Sequence, residues 1–294
     1  MELQTQEISI PLLKEKEVRL FIKRIDKVHP FVSGNKWFKL KYNLLKAQKQ
    51  GIEMLLTFGG AYSNHIAATA FSAQEKGFKS IGIIRGEEHL PLNPTLRFAK
   101  ENGMELQYVA RSDYREKTTP EFLEQLKAQF GDFYLIPEGG SNELAIQGTA
   151  EILEENDTQD YICCAVGTGG TIAGIINAST DKQTVIGFSA IKGIYALEKD
   201  IKNWTTKNNY KFINTYVGSG YAKVNEELVK FINEFNIIHD IPLDAIYTGK
   251  MMMGILDLVA KDYFPRGSSI LAIHTGGLQG NKGMNERLGV KLPS

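Results

Sequence analysis

The chain has 294 residues, 43% of them hydrophobic, with 34 basic and 34 acidic side chains. This length is sufficient for two lobes that each bury a core. A net charge of zero provides no global field to attract nucleic acid or an anionic membrane, so the likeliest class of ligand is a small molecule. No apolar run approaches the roughly 20 residues of a membrane-spanning helix, and charges interrupt the N-terminal segment where a signal peptide needs an apolar core. We therefore expect a cytoplasmic protein.

The two cysteines, Cys163 and Cys164, are neighbours in an apolar run. In a strand their side chains would point to opposite faces of the sheet. We therefore expect small buried residues, neither a structural disulfide nor a metal site.

The stretch 33–45 predicts a helix that carries one unusual lysine. Turn and capping residues at 33–35 precede apolar residues at helical spacing, and Gly51 follows where the helix should stop. Lys36 falls in the first turn, where the helix N–H groups and the positive end of the dipole would lower its pKa. Such a lysine is a candidate Schiff-base nucleophile, although an ordinary surface lysine also fits. The other lysines of the stretch are expected on a solvated face: Lys39, Lys41, Lys46 and Lys49.

An alternation of strands and helices predicts mostly parallel sheets covered by helices. The predicted strands are Glu17 to Ile25 (edge or entry), Met54 to Phe58, Ser80 to Ile84, Glu105 to Val109, Phe133 to Ile136, Tyr161 to Val166, Thr184 to Ser189, Tyr210 to Asn214 and Ser269 to Ile273. After the Lys36 helix, the predicted helices are Asn64 to Lys76, Pro94 to Asn102, Pro120 to Phe130, one ending near Asn156, one ending at Ala178, Lys192 to Lys207, Asn225 to Asn236 and Gly249 to Tyr263.

A polar run at 154–160 is the clearest boundary between the two halves of this series. We expect a small lobe that ends at residue 157 and a large lobe that includes residues 158–294. The start of the small lobe at residue 39, with residues 1–38 in the large lobe, is what the family resemblance described below implies.

The segment VGTGGTIAG (166–174) follows a strand and opens a helix. Its backbone N–H groups and a hydroxyl could bind a phosphate at the helix N-terminus, through Gly167, Thr168, Gly169, Gly170 and Thr171. A plain glycine turn remains the alternative. The segment lacks the Lys-Ser/Thr pair of a P-loop and the spaced GxGxxG pattern of a dinucleotide site.

Three further segments carry candidate site residues. FGGAYSNH (58–65) places Ser63 and Asn64 at a helix start, where exposed N–H groups can bind a carboxylate, although ordinary N-capping also fits. Tyr247 in YTGK and Tyr221 in GSGYAKVN are packing residues on spacing alone. IHTGG (273–277) follows a strand, at the edge of a sheet where ligands bind.

In this order, after an early Asn-Lys, these motifs resemble the pyridoxal-phosphate (PLP) enzymes of the tryptophan-synthase-β type (fold type II). Within that group, the chain most resembles the family of 1-aminocyclopropane-1-carboxylate (ACC) deaminase and D-cysteine desulfhydrase. The resemblance implies that Lys36 carries PLP covalently, that residues 167–171 bind its phosphate and that Asn64 hydrogen-bonds its phenolic oxygen. It also implies that Thr275 meets the ring nitrogen through its hydroxyl.

The resemblance further implies that Ser63 and His65 hold the substrate carboxylate or lie beside its α-carbon, together with Asn64. Tyr221 and Tyr247 match active-site tyrosines of the family. ACC deaminases usually have glutamine at the position of His65, glutamate at that of Thr248 and leucine at that of Thr275, so these three residues favour the desulfhydrase branch.

The expected activity is therefore β-elimination of D-cysteine to pyruvate, sulfide and ammonia, catalysed by a homodimer. ACC deamination is the first alternative within the family, and racemisation or β-elimination of another D-amino acid, such as D-serine, stays open. A non-catalytic protein that binds a phosphorylated small molecule and an NAD-linked enzyme are the alternatives outside it.

Overall fold

The fold is described by a computed structural model for residues 3–190, 195–217 and 224–293. Its strands are β1 (Thr5–Ile8), β2 (Arg19–Lys23), β3 (Met54–Gly60), β4 (Lys79–Arg85), β5 (Met104–Val109), β6 (Tyr134–Ile136), β7 (Tyr161–Val166), β8 (Thr184–Ser189), β9 (Tyr210–Ile213) and β10 (Ser269–Ile273). Its α-helices are α1 (Pro11–Glu15), α2 (Asn35–Lys49), α3 (Asn64–Lys76), α4 (Pro94–Glu101), α5 (Pro120–Phe130), α6 (Glu143–Ala150), α7 (Gly170–Ala178), α8 (Tyr195–Trp204), α9 (Glu226–His239), α10 (Thr248–Ala260) and α11 (Gln279–Leu288).

The strands form two sheets. Six strands lie in the order β1-β2-β10-β7-β8-β9, and four lie in the order β5-β4-β3-β6. The β1–β2 pair is antiparallel, and the other strand pairs of the described residues are parallel. The predicted α/β class with mostly parallel, helix-covered sheets is confirmed. In each parallel sheet the carboxyl ends of the strands share one edge, which is where ligands bind in open α/β sheets.

Both faces of the six-stranded sheet are buried. Cys163 belongs to the apolar cluster on one face and Cys164 to the cluster on the other, as the alternation of side chains along β7 requires. Both thiols are free and buried. The prediction of two structural cysteines is confirmed.

Most predicted elements occur with the predicted bounds, and the exceptions have identifiable causes. β2 is not an edge strand, because β1, which no sequence signal predicted, pairs along it. α1 and α11 were also not predicted. α6 ends at Ala150 rather than near Asn156, since the Glu154 amide donates to the Asp157 carboxylate (2.8 Å) and not to a helix carbonyl.

The four-stranded sheet contains only strands from residues 54–136, inside the predicted small lobe. α2 runs without a break across the predicted boundary at residues 38 and 39. The division into lobes stays a prediction, and Lys36 and Lys39 share one helix. Within the described ranges, no helix is long and apolar enough to span a membrane.

Candidate active site

A cavity of about 870 Å³ lies beyond the carboxyl ends of strands from both sheets. Gly60 ends β3, Arg85 ends β4 and Val166 ends β7, and all three line the cavity. Thr275, two residues after β10, lines it as well. The predicted motifs therefore converge on one cavity, at the edge of the sheets where the parallel topology places a ligand site.

Lys36 is the second residue of α2 and faces this cavity. Its Nζ lies 3.4 Å from the carbonyl oxygen of Gly139, which follows β6. Burial lowers the pKa of Lys36 from its usual 10.5 to about 8. The predicted lowering of this pKa is confirmed. Its cause is loss of solvent around the amine, and not the N-terminal end of the helix that the sequence analysis invokes.

Lys39 was predicted on a solvated face, and this prediction is wrong. Its side chain is 1% exposed, and Nζ donates to Gly139 O (2.8 Å) and Ser141 Oγ (2.8 Å) and lies 3.3 Å from Thr168 Oγ1. Burial, followed by the charge of Lys36, lowers its pKa well below the usual value. Residues three apart on a helix lie on the same face, so the spacing from Lys36 was the signal that could have found it.

The part of the chain that the structure describes offers this pair of amines no ion-pair partner. Within the described residues, no carboxylate forms an ion pair with either lysine. Two buried amines without a carboxylate are costly in their charged form, and a bound anion would favour that form. The arrangement therefore suits an anionic ligand.

The glycine loop between β7 and α7 provides the second half of this anion site. α7 has no side-chain cap, and its N-cap residue, Gly169, has a left-handed backbone (φ 80°). The first amides of α7 therefore have no helical acceptor and can bind an anion. Gly167, Thr168, Gly169 and Thr171 line the cavity.

Gly170 does not line the cavity, but its lack of a side chain leaves space for Lys39. A Cβ atom on Gly170 would lie 2.8 Å from Ser141 Oγ and 3.2 Å from Lys39 Nζ. Glycine at this position therefore leaves room for the Lys39 ammonium group to reach its acceptors. Thr171 Oγ1 accepts a hydrogen bond from Asn35 Nδ2 (2.8 Å), which ties the start of α7 to the start of α2.

Ser63, Asn64 and His65 begin α3 beside the cavity. Ser63 Oγ accepts hydrogen bonds from the amides of His65 (3.2 Å) and Ile66 (3.3 Å), so the residue is an N-cap. Asn64 lines the cavity next to it. Their predicted contacts with a ligand stay predictions.

His65 is buried and uncharged. Thr57 Oγ1 lies 2.7 Å from His65 Nε2 and 2.8 Å from the carbonyl oxygen of Ile136. Since the single hydroxyl proton of Thr57 goes to that carbonyl, Nε2 carries the imidazole proton and Nδ1 is an acceptor. Burial, followed by the charges of Lys36 and Lys39, lowers the pKa of His65 well below 6.5. His65 therefore remains a neutral ring at physiological pH.

Gly34 allows Thr275 and Lys36 to share one wall. The Thr275 carbonyl accepts a hydrogen bond from the Asn35 amide (3.1 Å), and a Cβ atom on Gly34 would lie 2.0 Å from the same oxygen. Gly34 also has a left-handed backbone (φ 66°). The close approach of these two backbones brings IHTGG against the first turn of α2.

Tyr247 faces the glycine loop, whereas Thr248 does not reach the cavity wall. A Cβ atom on Gly167 would lie 3.2 Å from the Tyr247 ring. Thr248 is buried and donates through Oγ1 to Asp244 Oδ1 (2.7 Å). Sequence reasoning missed Asp244, whose carboxylate caps α10 by accepting the amides of residues 246, 247 and 248. Its position just before YTGK was the available signal. Tyr221 lies outside the described residues.

A family model described as "Pyridoxal-phosphate dependent enzyme" matches residues 2–276. The chain belongs to this family. A Pyrococcus abyssi protein provisionally named 1-aminocyclopropane-1-carboxylate deaminase is 32% identical over 91% of this chain and 87% of its own length. An Arabidopsis thaliana protein named bifunctional D-cysteine desulfhydrase/1-aminocyclopropane-1-carboxylate deaminase, mitochondrial, is 30% identical over 89% of this chain and 73% of its own.

Among solved structures, one described as an ACC deaminase homologue aligns with a TM-score of 0.85 at 26% identity. The alignment covers 98% of this chain and 93% of that chain. The predicted family and fold type are confirmed. The protein is therefore a PLP-dependent enzyme, which decides against the NAD-linked and non-catalytic alternatives.

The residues of the cavity fit PLP. Two buried amines and the uncapped start of α7 supply the positive charge that a phosphate monoester requires. A lysine with a pKa near 8 has a substantial neutral fraction at physiological pH, which covalent attachment to an aldehyde requires.

Proposed function

We propose that this PLP enzyme removes the β-thiol of D-cysteine to give pyruvate, sulfide and ammonia. The observation that carries the proposal is the position of Lys36, a half-buried amine with a pKa near 8 on the wall of a cavity that Ser63, the glycine loop and Thr275 also line. The cofactor, when attached to Lys36, provides an electron sink for negative charge at the substrate α-carbon.

In this proposal the residues of the cavity divide into those that bind and one that moves a proton. Lys39, Thr168 and the first amides of α7 hold the phosphate. Thr275 would contact the ring nitrogen of the cofactor, and Asn64 its phenolic oxygen. Lys36 would accept the α-proton of the bound amino acid at Nζ, because its lowered pKa makes it a competent base near neutral pH.

The start of α3 positions the substrate. The Ser63 hydroxyl and the positive end of the α3 dipole bind the α-carboxylate, and neutral His65 supports the start of this helix. Tyr247, which lines the cavity beside Gly167, contacts the reacting side chain, and we assign Tyr221 the same role. The C–S bond breaks with its electron pair leaving on sulfur, and the resulting enamine hydrolyses to pyruvate and ammonia.

Thr275 supports desulfuration over ring opening. A carboxylate near the ring nitrogen would keep it protonated and strengthen the electron sink, whereas a hydroxyl tolerates a neutral nitrogen and a less stabilised carbanion. The Thr248 hydroxyl donates a hydrogen bond to Asp244, and Thr248 does not line the cavity. Any influence of Thr248 on the cofactor ring is therefore indirect.

ACC deamination to 2-oxobutyrate and ammonia is the second candidate. It is favoured by the names of the Pyrococcus abyssi and Arabidopsis thaliana relatives. D-cysteine desulfhydrase of Klebsiella pneumoniae (strain 342), at 26% identity over 88% of this chain and 86% of its own length, favours the first candidate.

The deciding experiment incubates the purified holoenzyme with D-cysteine, L-cysteine, D-serine and ACC in parallel and measures 2-oxo acid release. The proposal expects pyruvate from D-cysteine at a higher kcat/KM than product from the other three. Faster turnover of ACC would replace D-cysteine desulfuration by ACC deamination.

We also propose that the protein is a cytoplasmic homodimer and that its small lobe comprises residues 39–157. Light scattering on the purified holoenzyme, with an expected mass of twice 32.8 kDa, tests the dimer. A monomeric mass would contradict it.

A further inference from the structure

Two arginines on the cavity wall have no role in binding the cofactor. Arg85 is the last residue of β4, and Arg111 follows the end of β5 by two residues. β4 and β5 are neighbouring parallel strands, so both side chains start from the sheet edge that also carries Ser63 and Gly139. Both arginines line the same cavity as Lys36.

The strand order separates these arginines from the phosphate site. The two lysines are held at the carbonyl of Gly139, after β6, and β6 and β4 lie on opposite sides of β3. Neighbouring strands are about 4.8 Å apart, so β4 and β6 are separated by about 10 Å. Arg85 and Arg111 are therefore available to a part of the ligand other than the phosphate.

Arg85 lies close to the loop that would bind the substrate carboxylate. It is in register with Gly60, the residue that ends β3 and leads into this loop. A Cβ atom built on Gly60 would lie 3.5 Å from Arg85 Nη2. An amino acid whose α-carboxylate binds at the start of α3 therefore lies within reach of the Arg85 guanidinium.

The protein does not neutralise the charge of this pair. Across the described ranges, no ion pair includes Arg85 or Arg111. The acidic residues on the same wall are Glu87 and Glu138, and Glu138 is paired with Lys117 (3.3 Å). Arg287 also lines the cavity, over the Tyr62 ring. The part of the wall that follows β4 and β5 therefore carries two guanidinium groups and the carboxylate of Glu87, which forms no ion pair within the described residues.

We propose that Arg85, supported by Arg111, binds a second anionic group on the substrate. The site then prefers small α-amino acids whose side chain ends in a carboxylate or another oxyanion. The planar fork of a guanidinium matches the two oxygens of such a group. This inference rests on the proposed function, because it places the substrate α-carboxylate at the start of α3.

Aspartate and asparagine test the inference, because they have nearly the same size and differ in side-chain charge. Both enantiomers of each are measured as inhibitors of the holoenzyme with the substrate that it turns over fastest. We expect the better-bound enantiomer of aspartate to have an inhibition constant at least about tenfold lower than that of the matching asparagine.

The variants assign the preference to the two arginines. R85Q removes the advantage of aspartate, and R111Q reduces it by a smaller factor. R115Q is the matched control, because Arg115 is exposed and does not line the cavity, and it keeps the wild-type preference. Inhibition by D-alanine, which lacks the second anion, stays within about twofold in all three variants. Equal binding of aspartate and asparagine to the wild type, or a preference that survives in the R85Q/R111Q double variant, overturns the inference.

A second measurement separates this inference from the proposed reaction. The shift in the unfolding temperature of the holoenzyme with each ligand reports binding without turnover. The unfolding temperature could rise with aspartate in an Arg85-dependent way while the enzyme releases no product from D-cysteine or ACC. This result would support the anion site and reject the proposed reaction. Turnover of D-cysteine, with no difference between aspartate and asparagine in binding, would support the proposed reaction and reject the anion site.

Discussion

The carboxyl ends of the two sheets supply different chemistry to the same cavity. Those of the six-stranded sheet present backbone amides and hydroxyls, from the glycine loop and Thr275. Those of the four-stranded sheet present charged side chains, among them Arg85, Arg111 and Glu87. Backbone amides are fixed by the fold and suit a group that is always the same, the cofactor. Charged side chains can change one at a time, so they suit the variable part of the substrate.

α2 connects these two regions, since its N-terminal end carries half-buried Lys36 and, one turn later, buried Lys39. Lys36 and Lys39 share the Gly139 carbonyl, yet we assign proton transfer to the first and phosphate binding to the second. The predictions below separate these tasks.

The largest effect is expected for Lys36→Ala. Without the amine at this position, the cofactor has no covalent attachment and the α-proton has no base, so kcat falls by about 10³-fold or more. Circular dichroism should be unchanged, since the side chain forms no ion pair. Steady-state release of pyruvate measures the loss. Turnover close to that of the wild type would remove Lys36 from the mechanism.

Gly34→Ala tests the contact that brings the two halves of the site together. The added Cβ would lie 2.0 Å from the Thr275 carbonyl in a left-handed backbone, so we expect about 3 kcal/mol of lost stability together with loss of cofactor binding.

Gly51→Ala is the control for this change, because Gly51 also has a positive φ (67°) but open space around its Cβ position. Its cost should be about 1 kcal/mol, without any effect on the cofactor. Urea unfolding gives both values. Equal costs for the two variants would contradict the role of the close approach.

Lys39→Met should weaken cofactor binding without lowering the stability of the apoprotein. Loss of a charged hydrogen bond to the phosphate raises the dissociation constant of PLP by about 10- to 100-fold. The apoprotein should keep or gain stability, because a buried amine without a carboxylate partner is removed.

Lys41→Met is the control for Lys39→Met. Lys41 lies on the exposed face of the same helix and pairs with Glu151 (2.6 Å). Absorbance titration of the apoproteins with PLP measures both variants. A wild-type affinity for PLP in Lys39→Met would show that the amides of α7 are sufficient for the phosphate.

The smallest expected effect is a pH dependence of the apoprotein. The pKa of Lys36 is about 8 in the folded state and 10.5 in the reference state, so between these values the unfolded chain binds the extra proton. Stability therefore rises with pH across this window relative to Lys36→Met, and cofactor attachment also becomes faster as pH rises toward 8. Unfolding at pH 7.5 and pH 9.5 checks the sign. A difference between wild type and Lys36→Met that does not change with pH would contradict the lowered pKa.

Most secondary structure was predictable because its signals are local. α3 begins at the Ser63 cap and ends at left-handed Gly77, and α5 begins at Pro120 and ends before Gly131, each within the predicted bounds. β1 lacks such signals, and α11 has only the left-handed Gly289 at its end. β1 has four residues, only one of them buried, and α11 is mostly polar, so pairing with β2 and packing near α4 define them.

The candidate site was predictable where a motif fixes the backbone. Turns after strands identify the glycine loop and IHTGG, and the order of the motifs identifies the family. Lys39, Asp244 and Arg85 were missed because their roles depend on which segments approach them. Nothing in the residues around Lys39 shows that Gly139 and Ser141, about 100 positions away, will surround its ammonium group.

The sequence by itself therefore determined the α/β class, the order of the elements and the residues that belong to the PLP-dependent family, since these follow from periodicity, caps and motifs along the chain. Only the tertiary structure decided that Lys39 is buried beside Lys36, that Thr248 faces Asp244 and that two unpaired arginines border the cavity. Burial and charge pairing depend on distances between segments remote in sequence, and packing of the two sheets fixes those distances.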